Sequence, residues 1–78
     1  MRLLPNPTDG DVQLTLSAVM GAVRVEVIDM AGRTLQTYTL PARTKHATLA
    51  TSQLPQGAYY VRVTGDSLSV VKKMLKIE

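Results

Sequence analysis

Leu54-Pro55-Gln56-Gly57-Ala58-Tyr59-Tyr60-Val61-Arg62-Val63-Thr64 is the stretch from which the fold is read. Pro55 and Gly57 are turn formers, one with a fixed φ and the other with access to positive φ. After them Tyr59, Val61 and Val63 alternate with Tyr60, Arg62 and Thr64. Successive side chains of a strand point to opposite faces, so a period of two predicts one buried face and one wet face. Tyr, Val and Thr also suit a pleated surface.

The same pattern continues outward along the chain. Val23, Val25 and Val27 alternate with Arg24 and Glu26, and Val12, Leu14 and Leu16 with Gln13 and Thr15. Turn formers interrupt these runs: Pro5-Asn6-Pro7-Thr8-Asp9-Gly10, Met20-Gly21, Met30-Ala31-Gly32, Pro41-Ala42-Arg43 and Thr64-Gly65-Asp66. Seven strands are predicted, at about 1–4, 12–17, 22–29, 33–40, 45–50, 58–64 and 67–77. No window of a dozen residues has a helical period, and residues 16–20 close a turn at most. Short strands separated by turns predict an all-β, antiparallel sandwich or barrel.

The last predicted strand is irregular. Leu68 and Val70 share one face, whereas Val71, Lys73, Leu75 and Ile77 share the other. A bulge between Val70 and Val71 would keep both halves facing the core. It would turn Lys72, Met74 and Lys76 outward and leave Lys73 on the inner face near the edge. The alternative is a short stretch buried on both sides.

Composition sets the scale. The chain has 78 residues, 45% of them apolar and 19% charged, with no Cys, Phe or Trp. It is one domain with room for a small core and little for a deep catalytic cavity. Disulfides and cysteine-based metal sites are excluded. The net charge is +3, but aromatic residues are 4%, too few for nucleic-acid stacking platforms. No apolar run approaches the roughly 18 residues of a membrane span. Met1-Arg2-Leu3-Leu4-Pro5 lacks the layout of a signal peptide. The expectation is that any export address lies in this domain or upstream in a longer parent.

Candidate chemistry is sparse. His46 is the only histidine and has no close Cys, Asp or Glu with which to form a metal set or triad; it reads as a solvated strand residue. Asp9-Gly10-Asp11 runs straight into a strand without the further acidic ligands of a calcium loop, and reads as turn chemistry. Asp29 can accept main-chain N–H bonds at a hairpin entry, Gly32 can supply left-handed backbone, and Arg33 can pair with Asp29 across the mouth. No nucleophile–base pair or paired carboxylates can be assembled, so neither enzyme nor cofactor is expected. The Lys72-Lys73-Met74-Leu75-Lys76-Ile77-Glu78 segment reads two ways: lysines that discourage edge-to-edge aggregation, or an exposed strand presented to a receptor.

Four stretches, in order, resemble one family: the type A C-terminal sorting domains of the type IX (Por) secretion system of Bacteroidota. They are Pro5-Asn6-Pro7-Thr8-Asp9-Gly10, similar to the family's opening turn; Val27-Ile28-Asp29-Met30-Ala31-Gly32-Arg33, similar to its Asp-x-x-Gly-Arg hairpin; Leu54-Pro55-Gln56-Gly57-Ala58-Tyr59, similar to its Leu-Pro-x-Gly-x-Tyr strand; and the lysine-rich residues 72–78. The resemblance spans residues 4–78.

It implies an Ig-like sandwich and a non-catalytic signal that ends a larger secreted protein, with residues 1–78 as a single sorting domain. It implies passage through the periplasm, export through an outer-membrane translocon, and a sortase-like peptidase that attaches the cargo to the cell surface. Pro5, Asn6, Pro7, Gly10, Gly32, Leu54, Pro55, Gly57 and Tyr59 are expected to set turns and core. Lys72, Lys73, Leu75, Lys76, Ile77 and Glu78 are expected to meet the secretion machinery. Asp29 and Arg33 stand between scaffold and recognition. The rival reading is a retained Ig-like structural, adhesion or carbohydrate-binding module, for which Tyr38 and Tyr60 are the available exposed aromatics. A homodimer through edge or swapped strands is a further expectation.

Overall fold

A computed structural model of the chain describes residues 1–16, 21–66 and 68–77. Seven strands follow one another: β1 (Arg2–Leu4), β2 (Val12–Thr15), β3 (Val23–Asp29), β4 (Thr34–Leu40), β5 (His46–Leu49), β6 (Gly57–Thr64) and β7 (Ser69–Lys76). All seven predicted strands are found, and their ends coincide with the prediction or differ by one residue wherever those ends are described. Residues 17–20 of the turn expected at 16–20, the predicted strand end Ser17 and the strand residue Ser67 lie outside the described residues. A 3-10 turn, Thr51–Gln53, is an addition.

The strands form two antiparallel sheets, one ordered β1-β2-β5 and the other β4-β3-β6-β7. This is the sandwich of the sequence reading, with three strands facing four. Alternation decides the core. Val12, Leu14 and Leu49 from one sheet meet Val25, Val27, Val61 and Val63 from the other, all essentially removed from water. Each such side chain contributes about 1.5–3 kcal/mol by burial. Leu3, Leu16, Val23, Tyr59 and Met74 complete the cluster.

Pro55 and Tyr59 form a tyrosine corner. The buried Tyr59 ring lies near the start of β6, and its hydroxyl donates to the Pro55 carbonyl four residues upstream. Gly57 between them has φ +154, a conformation that side chains with a Cβ rarely adopt.

The bulge expected in the last strand is absent. β6 and β7 pair without a break from Gly57↔Lys76 to Thr64↔Ser69. The register instead shifts between Val27 and Ile28, which pair with Gln36 and Thr34 and leave Leu35 as the extra residue of β4. The phase of an edge strand follows its hydrogen-bonded neighbour. β7 therefore keeps a single phase, and some of its apolar residues stay in water.

Replacing Tyr59 by Phe keeps the ring in the core and deletes the bond to Pro55. Urea unfolding is expected to show a loss of about 1 kcal/mol with an unchanged m-value.

Candidate functional site

β7 presents two unlike faces. Its residues Val70, Lys72 and Met74 stand opposite Val63, Val61 and Tyr59 of β6. Directly opposed residues share a face, so this set points toward the core. Met74 and Lys76 are buried, Lys76 with 1% of its surface exposed. Lys72 belongs to the inner set but is exposed, in keeping with a long side chain at a sheet rim. Lys73 points outward with Val71, Leu75 and Ile77, which are 54%, 40% and 44% exposed. The expectation of an outward Met74 and Lys76 and an inward Lys73 is thus reversed, because there is no bulge to shift the phase. Glu78 lies outside the described residues.

The outer edge of β7 is covered over its C-terminal half by the segment around Asn6. Pro5 and Pro7 bracket Asn6 and offer no N–H of their own, leaving its amide side chain and the main chain of Thr8 to make the contacts. The Asn6 Nδ2 donates to the Lys73 carbonyl at 2.9 Å, and the Leu75 N–H donates to Asn6 Oδ1 at 3.1 Å. The Thr8 N–H donates to the Leu75 carbonyl and the Ile77 N–H to the Thr8 carbonyl, both at 2.8 Å. Thr8 and Lys76 form a parallel bridge. Behind it the Gly10 carbonyl accepts from the hydroxyls of Thr8 and Thr51 at 3.0 and 2.8 Å. Asp11 Oδ1 accepts the Ser52 N–H at 3.0 Å. The turn cluster is therefore the clamp that seats β7.

Asp29 organises the hairpin between β3 and β4. Its Oδ1 accepts the N–H groups of Ala31 and Arg33 at 2.9 Å each, and its Oδ2 accepts Arg33 Nε at 2.8 Å. Gly32 takes φ +88, the left-handed turn position. The main-chain N–H of Arg33 is the chief reason that the Asp29 carboxyl titrates below the usual carboxylate range. Partial desolvation opposes that effect, and the Arg33 guanidinium and the Ala31 N–H add to it.

This hairpin and the 54–59 turn, distant in sequence, border one open groove of about 510 Å³ lined by Asp29, Met30, Arg33, Leu35, Leu54 and Pro55 among others. Neither Met30 nor Leu35 carries a functional signal in the sequence. Met30 sits inside the quoted hairpin motif, but nothing in the sequence marks the bulge that leaves Leu35 exposed.

The two candidate platform tyrosines lie on opposite faces of their sheet. Tyr38 opposes Val25, and its hydroxyl accepts the Ala50 N–H at 2.8 Å and donates to Gln36 at 2.7 Å. Tyr60 opposes Ile28 and Lys73 on the outer face. They do not form one surface. His46 opens β5 opposite Thr15 and is exposed.

The family model of the secretion system C-terminal sorting domain matches residues 2–77, nearly the whole chain. No curated protein matches it.

Asn6→Ala removes two of the bonds that clamp β7 and is expected to lower stability by about 1 kcal/mol. Faster hydrogen exchange at the Leu75 amide would locate the loss. Asp29→Asn keeps the Oδ1 acceptor and loses the charge. A carboxyl whose folded pKa is depressed stabilises the fold above its unfolded value of 3.8 and ceases to do so as pH falls through the folded value. Urea midpoints of wild type and Asp29→Asn are therefore expected to differ at pH 7 and to converge on acidification below that value.

Proposed function

The chain belongs to the family of secretion system C-terminal sorting domains, and on that premise we propose that it is a non-catalytic signal carrying a cargo protein through the type IX outer-membrane translocon to the cell surface. In this reading residues 1–78 are one domain of a larger exported protein that crosses the periplasm first, and a sortase-like peptidase acts at its junction with the cargo. The contacts with the machinery are assigned to Lys72, Lys73, Leu75 and Ile77. The observation that supports Lys73, Leu75 and Ile77 is the exposed outer strip of β7, where apolar side chains flank an outward lysine; Lys72 is included for its exposure at the inner rim. Such a strip offers a partner both a hydrophobic contact and a cation. Lys76 leaves the set because its side chain is packed inside. Asp29 and Gly32 are given a scaffold role, shaping the hairpin through main-chain bonds. Pro5, Pro7, Gly10, Pro55, Gly57 and Tyr59 serve the turns and core in the same way.

Deleting residues 72–78 would be an ambiguous test, because it removes Met74 from the core. Surface substitutions are cleaner. A reporter with a periplasmic leader fused ahead of residues 1–78 is expected outside the cell in a type IX-competent host and in the periplasm of a host lacking the translocon. Lys73→Ala combined with Leu75→Ser is expected to reduce export by roughly tenfold, the effect of losing a small contact cluster, with the melting temperature little changed. Equal export from both hosts would sink the assignment.

A further inference from the structure

In an antiparallel pair the N–H and C=O of one residue point to the same side, and alternate residues point to opposite sides. Both main-chain groups of Leu75 bond to the segment around Asn6. The odd-numbered residues of β7 therefore face away from β6. The Lys73 carbonyl and the Ile77 N–H are taken by the same segment. The N–H and C=O of Val71 and the N–H of Lys73 have no hydrogen-bond partner among the described residues. Among the described residues the clamp thus covers half of this edge and leaves a regular stretch at 69–73 uncovered.

The other edges are poorer templates. β1 and β5 have three and four residues. β4 is interrupted by the extra residue Leu35, and its Gln36 and Tyr38 side chains are tied to Ala50. The open stretch of β7 also carries charge on both sides of the sheet: Lys73 on the outer face and Lys72 at the inner rim, both exposed. A strand laid along it would meet a cation on each face.

We propose that residues 69–73 receive an extended acidic segment of a partner protein by strand addition, its main chain pairing with Val71 and Lys73 and its carboxylates meeting Lys72 and Lys73. Main-chain pairing supplies the adhesion and the lysines select the sequence. A second copy of this chain fits less well, since it would bring the same lysines to the same edge. The inference rests on the sorting-domain reading for where the partner is met.

The export assay in the competent host tests it. Val71→Pro removes a free-edge N–H and no bond of the β6–β7 ladder, so the variant is expected to fold. Its export is expected to fall roughly tenfold, from a lost interstrand bond plus a ring in the path of the incoming strand. Val71→Ala, which keeps the N–H, measures the side chain alone, and the proposal requires Val71→Pro to fall well below it. The charge-reversed Lys72→Glu, Lys73→Glu double variant is expected to fall by a similar factor whether or not the proline variant folds. If the wild-type fusion is not exported, the sorting reading fails and takes this proposal with it. If wild type is exported and a folded Val71→Pro matches Val71→Ala, strand addition alone is overturned. Export of the double variant at the wild-type level overturns the acidic partner. Light scattering that shows a concentration-dependent dimer abolished by Val71→Pro would give the edge to a second copy and overturn the proposal likewise.

Discussion

The hydrogen bonds between the Asn6–Thr8 region and β7 join parts of the chain 67 to 69 residues apart. Much else depends on them. They carry the first segment from the β1-β2-β5 sheet across to the last strand of the other sheet, so that one stretch of chain ties both layers. They also satisfy main-chain groups that the edge strand would otherwise expose. Closing so long a loop is only modestly more expensive than closing a short one, because the entropy grows with the logarithm of length. A few good bonds at the far ends can therefore be favourable even in a domain with so thin a stability margin.

The clamp also gives β7 its two roles. Met74 and Lys76 are held inside, and Val71, Lys73, Leu75 and Ile77 are held outside. A period of two separates packing from display within a single strand, so residues one apart in sequence do different work. Lys73 and Lys76 have the same chemistry, and register against β6 turns one side chain to the outer face and the other to the inner, where it is packed. The strip that meets water is stiff because its reverse side is core. A rigid surface binds with less loss of side-chain and backbone freedom than a flexible tail would.

The strands and turns were legible because their signals are local. Alternation in residues 23–27 and 59–63 and the turn formers at 5–10, 30–32 and 55–57 read the same way in isolation and in the fold. The Asp29–Arg33 pair was legible for the same reason, as both partners belong to one hairpin. The phase of β7 was not. Its apolar residues change sides at Val70 and Val71, and a bulge is the local device that would repair this. The fold leaves the pattern unrepaired and exposes Val71, Leu75 and Ile77 instead. The groove between the 29–33 hairpin and the 54–59 turn was equally hidden, since it exists only where two distant motifs meet.

By itself the sequence determined the all-β class and the seven strands, because these follow from periodicity and turn chemistry within a few residues, and it carried the family resemblance in four ordered motifs. Tertiary structure decided which lysines reach water, that Asn6 and Thr8 seat the last strand, and that half of its edge has no partner among the described residues. Those outcomes depend on register between strands remote in sequence, and no local pattern contains that information.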